Sequence, residues 1–562
     1  MNWRQHMRHA AAKTTLAAVF CSTLALQAGC STTTEDIHRW GYTKQGPTKL
    51  VAVLTHDKYS TELRTEAAMT LIGMKPRGGR PVGITCSEAD CRGAIEALAS
   101  LNAEQRAPIM QQLIPRLIAE MAKPPSQVAP DQPALDTTYP FKDGAYALLT
   151  YADQDLIGDE KLKQDVRAAL TAWVMADFAS RFDNTTQLSS MQQVLRTLGA
   201  PGVRGLPSLL VPGGRRIKET AELIAELGDA ETKLAASRAL VKIAEDVESE
   251  SWRAQKRPQV EAINKSQGLT GLTEAQVAGQ VAVFQEEELI RTIQSMKQVG
   301  QKPIVDYLLA YAAREDPNGE LTTRRAHALA SLQGNLDKSD PAQIEVVLKL
   351  AEAPTTPDAI RTVAIQRISE MPRKLVIDRL YAMFKHDNWK VRWLAADLVL
   401  RMSDQSQLDE FMTQLSRSDR GMSLSEPVVY GLRIGELKGS EKPEVLADKY
   451  SASSYAASVR LSALSYYSKY GTKEQLARVA PYESDGARVP RCTADDCEWV
   501  CEVKVGDQAE AKEIATVGDF VRHCVKPAME ARTEADKAKE AAEKKAQEAK
   551  DAPPGGSGED AK

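Results

Sequence analysis

Four cysteines crowd one stretch near the C-terminus, Cys492, Cys497, Cys501 and Cys524, with His523 beside the last of them. Thiolates with an imidazole are the ligand set of a structural zinc site, and the same residues form disulfides where the surroundings are oxidising. The Cys-x4-Cys-x3-Cys spacing lacks the two-residue knuckle usual in zinc ligation, and no Cys-x-x-Cys redox pair exists. A second pair, Cys86 and Cys91 in "CSEADC", is spaced to staple a single loop. Other chemistry is sparse. Beyond residue 29 the histidines are His38, His56, His327, His386 and His523, scattered without ligand spacing. No Gly-x-Ser-x-Gly, His-Glu-x-x-His, Walker lysine loop or Gly-x-Gly-x-x-Gly is present. The expectation is a protein that is not an enzyme, with no catalytic residue, no cofactor and no metal.

Which cysteine chemistry applies depends on compartment, and the N-terminus speaks to that. "MNWRQHMRHAAAK" carries Arg4, Arg8 and Lys13 and no acid, and the apolar run "TTLAAVFCSTLAL" follows. A basic segment, a short apolar core and small residues before a cleavage point make an export signal, here 1–29. The "AGC" ending, Ala28, Gly29 and Cys30, resembles a bacterial lipobox, with Gln27 standing where that pattern usually has leucine. The resemblance implies cleavage before Cys30 and acylation of Cys30 by several chains, enough for stable anchoring. An ordinary secretory signal is the other reading, and either exports the chain. Residues 30–45 read as a tether, and no later stretch approaches 18 apolar residues. In an exported chain the six remaining cysteines, an even number, are expected to form disulfides rather than to hold zinc. The expected location is the bacterial cell envelope, lipid-anchored at the outer membrane, on its periplasmic side or at the cell surface.

The elements that carry these residues are helical and recur. Arg64 in "ELRTEAAMTL", Arg325 in "RRAHALASL", Arg361 in "AIRTVAIQRI", Arg392 in "KVRWLAADLV" and Arg460 in "SVRLSALSYY" share one pattern. Each arginine is followed at the third place by alanine and at the seventh by an apolar residue, and all but Arg325 follow an aliphatic residue or leucine. Arg325 to Arg361 is 36 residues, Arg361 to Arg392 is 31, and Arg392 to Arg460 is 68, about two further periods. A period near ~34 residues with helical patterning marks an α-solenoid. In 387–402, Val391, Leu394, Ala395, Leu398 and Met402 form one apolar face and Trp389, Trp393, Ala396 and Leu400 a second, as a helix sandwiched between neighbours requires. Asp387 is placed as the N-cap. These stretches resemble HEAT repeats, including the HEAT-like repeats of phycobilisome lyases. The resemblance implies that Arg64, Arg325, Arg361, Arg392, Arg460 and Asp387 build a ladder between neighbouring repeats, so the arginines are structural.

The fold expected is all-α: a HEAT-like α-solenoid over 46–480, interrupted by a Pro-rich loop at 122–140 and a polar insertion at 245–276. Residues 481–527 are expected to form a ββα capping module held by disulfides, with Thr516 and Asp519 as a capping box. Residues 528–562 read as a charged, helical or disordered tail. A formal net charge of −4 gives no basic field for nucleic acid. The expected partners are therefore protein segments along the solenoid's concave face, and the membrane through the anchor. The alternative is an enzyme or zinc protein with its site in 481–527.

Overall fold

The computed structural model describes residues 32–74, 83–85, 93–124, 138–181, 190–214, 216–269, 271–418, 428–429, 431–432, 441–489, 500–505 and 508–533, with positions 536 and 539. The signal segment, Cys30, Cys86, Cys91, Cys492, Cys497, most of the Pro-rich loop and most of the tail lie outside the described residues. The chain divides into two compact units, 1–246 and 247–562, where one array over 46–480 is expected from sequence.

The first unit opens with α1 (Thr34–Trp40), α2 (Gly46–Thr55) and α3 (Thr61–Ile72). It continues through α4 (Ala103–Met121), α5 (Tyr139–Thr150), α6 (Glu160–Arg181), α7 (Met191–Leu198) and α8 (Ile217–Leu227). Local chemistry sets these boundaries. The Ser60 hydroxyl accepts from the Leu63 amide at the start of α3, Asn102 caps α4, and a Ser190–Gln193 capping box opens α7. The N-cap of helix α1, Thr33, stands three residues after Cys30 and forms a capping box with Asp36. The segment read as a tether is thus folded from Thr33 onward. Alternate packing of α2 on α3, α3 on α4 and α4 on α5 and α6 buries Leu50, Ala67, Leu71, Ile109, Leu113 and Leu117 completely.

The second unit is the more regular. After α9 (Ala230–Glu248), in which the division falls, come α10 (Glu250–Ser266) and α11 (Glu274–Val299). These two cover most of the expected polar insertion, 245–276, and run past it to Val299. They form a helical hairpin with a small core of its own, Val260, Val277 and Val281, flanked by Trp252, Leu272 and Phe284. The polarity of the stretch belongs to the outer faces: Arg257 pairs with Glu261 along its own helix and with Glu274 across the hairpin. Helix pairs follow: α12 (Lys302–Ala312) with α13 (Thr322–Ser331), α14 (Pro341–Glu352) with α15 (Asp358–Ile368), and α16 (Arg373–Ala382) with α17 (Trp389–Arg401). Then come α18 (Leu408–Ser416), α19 (Pro443–Tyr450) and α20 (Ala457–Tyr470), the last two again paired.

The second helix of each pair also packs on the next. Helices α11, α13, α15 and α17 form a continuous row, an arrangement consistent with an α-solenoid. In α17, Val391, Ala395, Ala396, Leu398, Val399 and Leu400 are buried, each large aliphatic contributing roughly 1.5–3 kcal/mol. Trp389, Trp393 and Leu394 are only half-buried, so the helix is less sandwiched than its two apolar faces suggest.

At the C-terminal end, β1 (Val500–Val505) and β2 (Gln508–Glu513) pair antiparallel, Val500 opposite Glu513. Thr516 and Asp519 then form the expected capping box of a short helix, Val517–Phe520, and helical turns continue to Glu530. Val517, Phe520, Val521, Val525 and Met529 are buried, and this segment packs on α20.

Candidate functional site

Four of the five arginines reach back to the C-terminal end of the first helix in their own pair, and Arg392 reaches the turn that follows it, where the HEAT resemblance implies a ladder between neighbouring repeats. Arg64 Nε donates to the Leu54 carbonyl at 2.9 Å, and Arg325 Nε to that of Ala312 at 2.9 Å. Arg361 donates through Nε to Ala351 at 3.2 Å and through Nη2 to Ala353 at 3.0 Å, and its Nη1 meets Asp358 Oδ1 at 2.6 Å. Arg392 Nη1 bonds the carbonyls of His386 and Asp387 at 2.6 and 2.8 Å, and Arg460 Nε that of Ser451 at 3.0 Å, while its guanidinium pairs with Asp485. The last carbonyls of a helix have no partners within it and carry its negative dipole end, so a buried guanidinium satisfies both. All five arginines are at most 7% exposed, which leaves none on a binding surface. Asp387 contributes its carbonyl; the N-cap of α17 is Asn388, whose side chain accepts from the Lys390 amide. Aspartate and asparagine serve equally there, and the one nearer the helix holds the cap.

Neighbouring repeats are joined by residues that the arginine pattern does not include. His386 Nε2 lies 2.9 Å from the Glu352 carbonyl, 34 residues back, and its Nδ1 accepts from the Asn388 amide at 2.9 Å, so Nε2 is the donor. Ser418 donates to the Phe384 carbonyl at 2.8 Å, again 34 residues back. Asn335 donates to Lys297 at 2.9 Å, capping α11 from the next repeat. Its amide fits because the residue ending α11 is Gly300 at φ 58°, where any Cβ would strike it. Lys390 bonds Asp358 Oδ2 at 2.5 Å, so Asp358 receives a cation from its own pair and one from the next. That bond to Lys390, with the charges of Lys390 and Arg361, holds the Asp358 carboxyl below its usual range against the opposing effect of burial. The sequence signal for these links is separation near one period, not residue type.

Burial of the arginines fixes what the second helices show to solvent. The first, second and fifth places after Arg325, Arg361 and Arg392 lie on the open side, whereas those after Arg460 and the first and fifth after Arg64 are buried. In α13 these are Ala326, half-buried His327 and exposed Ala330. In α15 they are exposed Thr362, half-buried Val363 and exposed Gln366, and in α17 half-buried Trp393, Leu394 and Asp397. The first helices carry tyrosines instead. Tyr311 donates to Glu248 Oε1 at 2.6 Å and Tyr450 to Asp409 Oδ1 at 2.8 Å. Burial, then the neighbouring carboxylate, raises both phenols. Burial and Glu410 push Tyr381 up to about 12. These hydroxyls stay protonated; those of Tyr311 and Tyr450 donate, and that of Tyr381 accepts from Arg373 Nη2 at 3.4 Å.

In the first unit a cleft of about 740 Å³ opens between α1, α3, α4 and α5 and is lined in part by His38, Tyr42, Met69 and Phe141. Glu66 stands in its wall, with Oε1 2.5 Å from His38 Nε2 and Oε2 accepting from Arg116 Nη2 at 2.6 Å. Burial works to raise the Glu66 carboxyl, but the His38 and Arg116 bonds outweigh it and hold it below its usual range.

Of the cysteines, Cys501 on β1 and Cys524 in the following helical segment form a disulfide. With that bond made, neither thiolate is left for the four-cysteine zinc set. His523, beside it, is half-buried, and burial and then Lys512 lower its pKa. Among the described residues no group of three or more His, Cys, Asp or Glu is arranged to hold a metal, and no helix is long and apolar enough to cross a membrane. No family model matches the chain, and no curated protein does.

Proposed function

We propose that the chain is a non-catalytic scaffold of the bacterial cell envelope, held to the membrane by acylated Cys30 and binding protein segments across the second helices of its C-terminal unit. The observation that carries this is the difference between the two helix rows of that unit. The second helices α13, α15 and α17 pack directly on one another, whereas among the first helices α12 to α18 only α12 and α14 make comparable contact. A stack that is tight along one row and open along the other curves toward the tight row, which makes the second-helix side concave. That side offers small, uncharged positions around Trp393: Ala326, Ala330, Thr362, Val363 and Gln366. Such a ridge suits an extended peptide, with the tryptophan as anchor. The HEAT resemblance points the same way. The segment 514–530, stapled by Cys501–Cys524, covers α20 as a terminal cap would, since the last repeat has no neighbour to bury its outer face.

Site-specific photocrosslinking in intact bacteria tests the reading. A photoreactive residue at Ala330 or Gln366 should trap a discrete protein partner, and the same residue at Leu375, 43% exposed on first helix α16, should not. Equal trapping at all three, or trapping at Leu375 alone, discards the second-helix surface. Separately, Cys30→Ser should release the protein from membranes into the soluble envelope fraction; retention through a high-salt wash rejects the anchor.

A further inference from the structure

We infer that the face of α1 and of the turn after it, centred on Tyr42, lies flat against the lipid headgroups. This rests on the anchored reading above and names the surface that the anchor brings to the bilayer. The argument begins with length. Thr33, the N-cap of α1, stands three residues after Cys30, and three residues span at most ~10 Å. Acyl chains on Cys30 sit in the hydrocarbon, so the start of α1 is held within the headgroup zone, with no slack to lift it away.

Which face meets the lipid follows from burial. Ile37 is fully buried against the unit, so the opposite side of α1 points outward, bearing Glu35 and Arg39. The turn continues that side with Tyr42, Lys44 and Gln45, all exposed. Tyr42 is 90% exposed, against 57% or less for every other exposed large apolar residue among those described. A ring standing that free in water gains nothing from the fold. Next to it Lys49 Nζ lies 5.3 Å from the ring centre of Trp40, itself half-buried. Tyrosine and tryptophan with lysines that keep their ammonium groups in the aqueous layer are the side chains that settle at a bilayer interface. Of the acids on α1, Asp36 is occupied by Thr33 and Arg39, and the exposed Glu35 is outnumbered by Lys44 and Lys49, which meet anionic headgroups.

The test uses the mature full-length chain beginning at Cys30, in vesicles of phosphatidylethanolamine and phosphatidylglycerol. Amide exchange over 33–49 is compared between acylated wild type and unanchored Cys30→Ser in the same vesicles. Anchoring should slow exchange at 38–49 and leave α20 unchanged. Tyr42→Asp with Lys44→Glu should abolish the difference, and Lys44→Gln alone should reduce it by about fivefold, the effect of one lysine charge at an anionic surface. Exchange over 38–49 that is indifferent to anchoring overturns the inference. Mass spectrometry of wild type reports the anchor independently. Should no acyl chain be present, the chain coupled through the Cys30 thiol to a maleimide lipid has the same three-residue reach, and exchange over 38–49 then decides on the surface alone.

Discussion

The two units use the same arginine and reach different regularity. In the N-terminal unit Arg64 makes one bond, to Leu54, and its Nη2 has no hydrogen-bond partner among the described residues. The other positions of the pattern are filled by Lys142, whose ammonium lies 5.3 Å from the Trp173 ring centre, and by Ala236. Links from one pair to the next there span 47 residues for Thr65–Gln112, 50 for Arg116–Glu66 and 51 for Thr197–Tyr146. In the C-terminal unit Arg361 makes three bonds, and links between repeats recur at 34, 34 and 38 residues through His386, Ser418 and Asn335. The difference separates two jobs. The arginine closes a pair by capping its first helix, and needs only a short turn. Joining pairs requires groups that fall opposite one another at every period, which only a stack of constant repeat length provides.

The comparison breaks first at Arg361. Arg361→Ala removes the guanidinium's bonds to the Ala351 and Ala353 carbonyls and to Asp358, which keeps only Lys390, at a local cost of about 3 kcal/mol. Arg64→Ala removes one bond and should cost about 1 kcal/mol. Because a chain of two compact units need not unfold in a single step, hydrogen exchange by region is the measurement. Protection should fall across 341–401 in the first variant and only over 46–72 in the second. Equal losses would mean that the two arginines do the same work and that the contrast between units lies elsewhere.

Acid should distinguish the units' joints from their caps. The lowered Asp358 carboxyl favours the folded state at any pH above the ordinary carboxylate range near ~4. That contribution is lost as pH falls through the lowered folded value, because the unfolded chain then binds the proton more readily. Protection of α15 and α17 should therefore be flat from neutrality to about pH 5 and decline below about pH 4, with the decline reduced in Asp358→Asn. The arginine-to-carbonyl caps, having no titrating acceptor, should persist. A smaller effect is expected of Ser418→Ala, which removes the one side-chain donor to Phe384 seen here and should cost about 1 kcal/mol at the joint between α16 and α18.

What the sequence made legible was helix and period, and the reason is that burial repeats. Alanine three places after each arginine is buried in α3, α13, α15, α17 and α20, because neighbouring helices touch there. The direction of the guanidinium was not legible. An arginine beside a helix end can reach the carbonyls of its own pair or of the next, and type and spacing are the same for both. The helical form of the polar insertion was not legible for a related cause: its core is a few residues wide, and ion pairs such as Arg257–Glu274 dominate its composition. The joints His386, Ser418 and Asn335 carry no composition signal at all, since a backbone carbonyl is their acceptor and any donor of suitable length would serve.

The smallest effect lies at the start of α17, and it tests how a turn divides its roles. Asn388 supplies its side-chain oxygen to the Lys390 amide, while Asp387 supplies its backbone carbonyl to Arg392. Asn388→Ala removes the cap and should cost about 1 kcal/mol, in the ordinary range for such a loss. Asp387→Ala keeps the carbonyl that Arg392 uses, and its cost should be the smaller of the two. Local exchange in 389–395 measures both. Were Asp387→Ala the more damaging, its carboxylate would be holding the turn in the way the HEAT resemblance implies, and the joint between pairs would run through the turn acid after all.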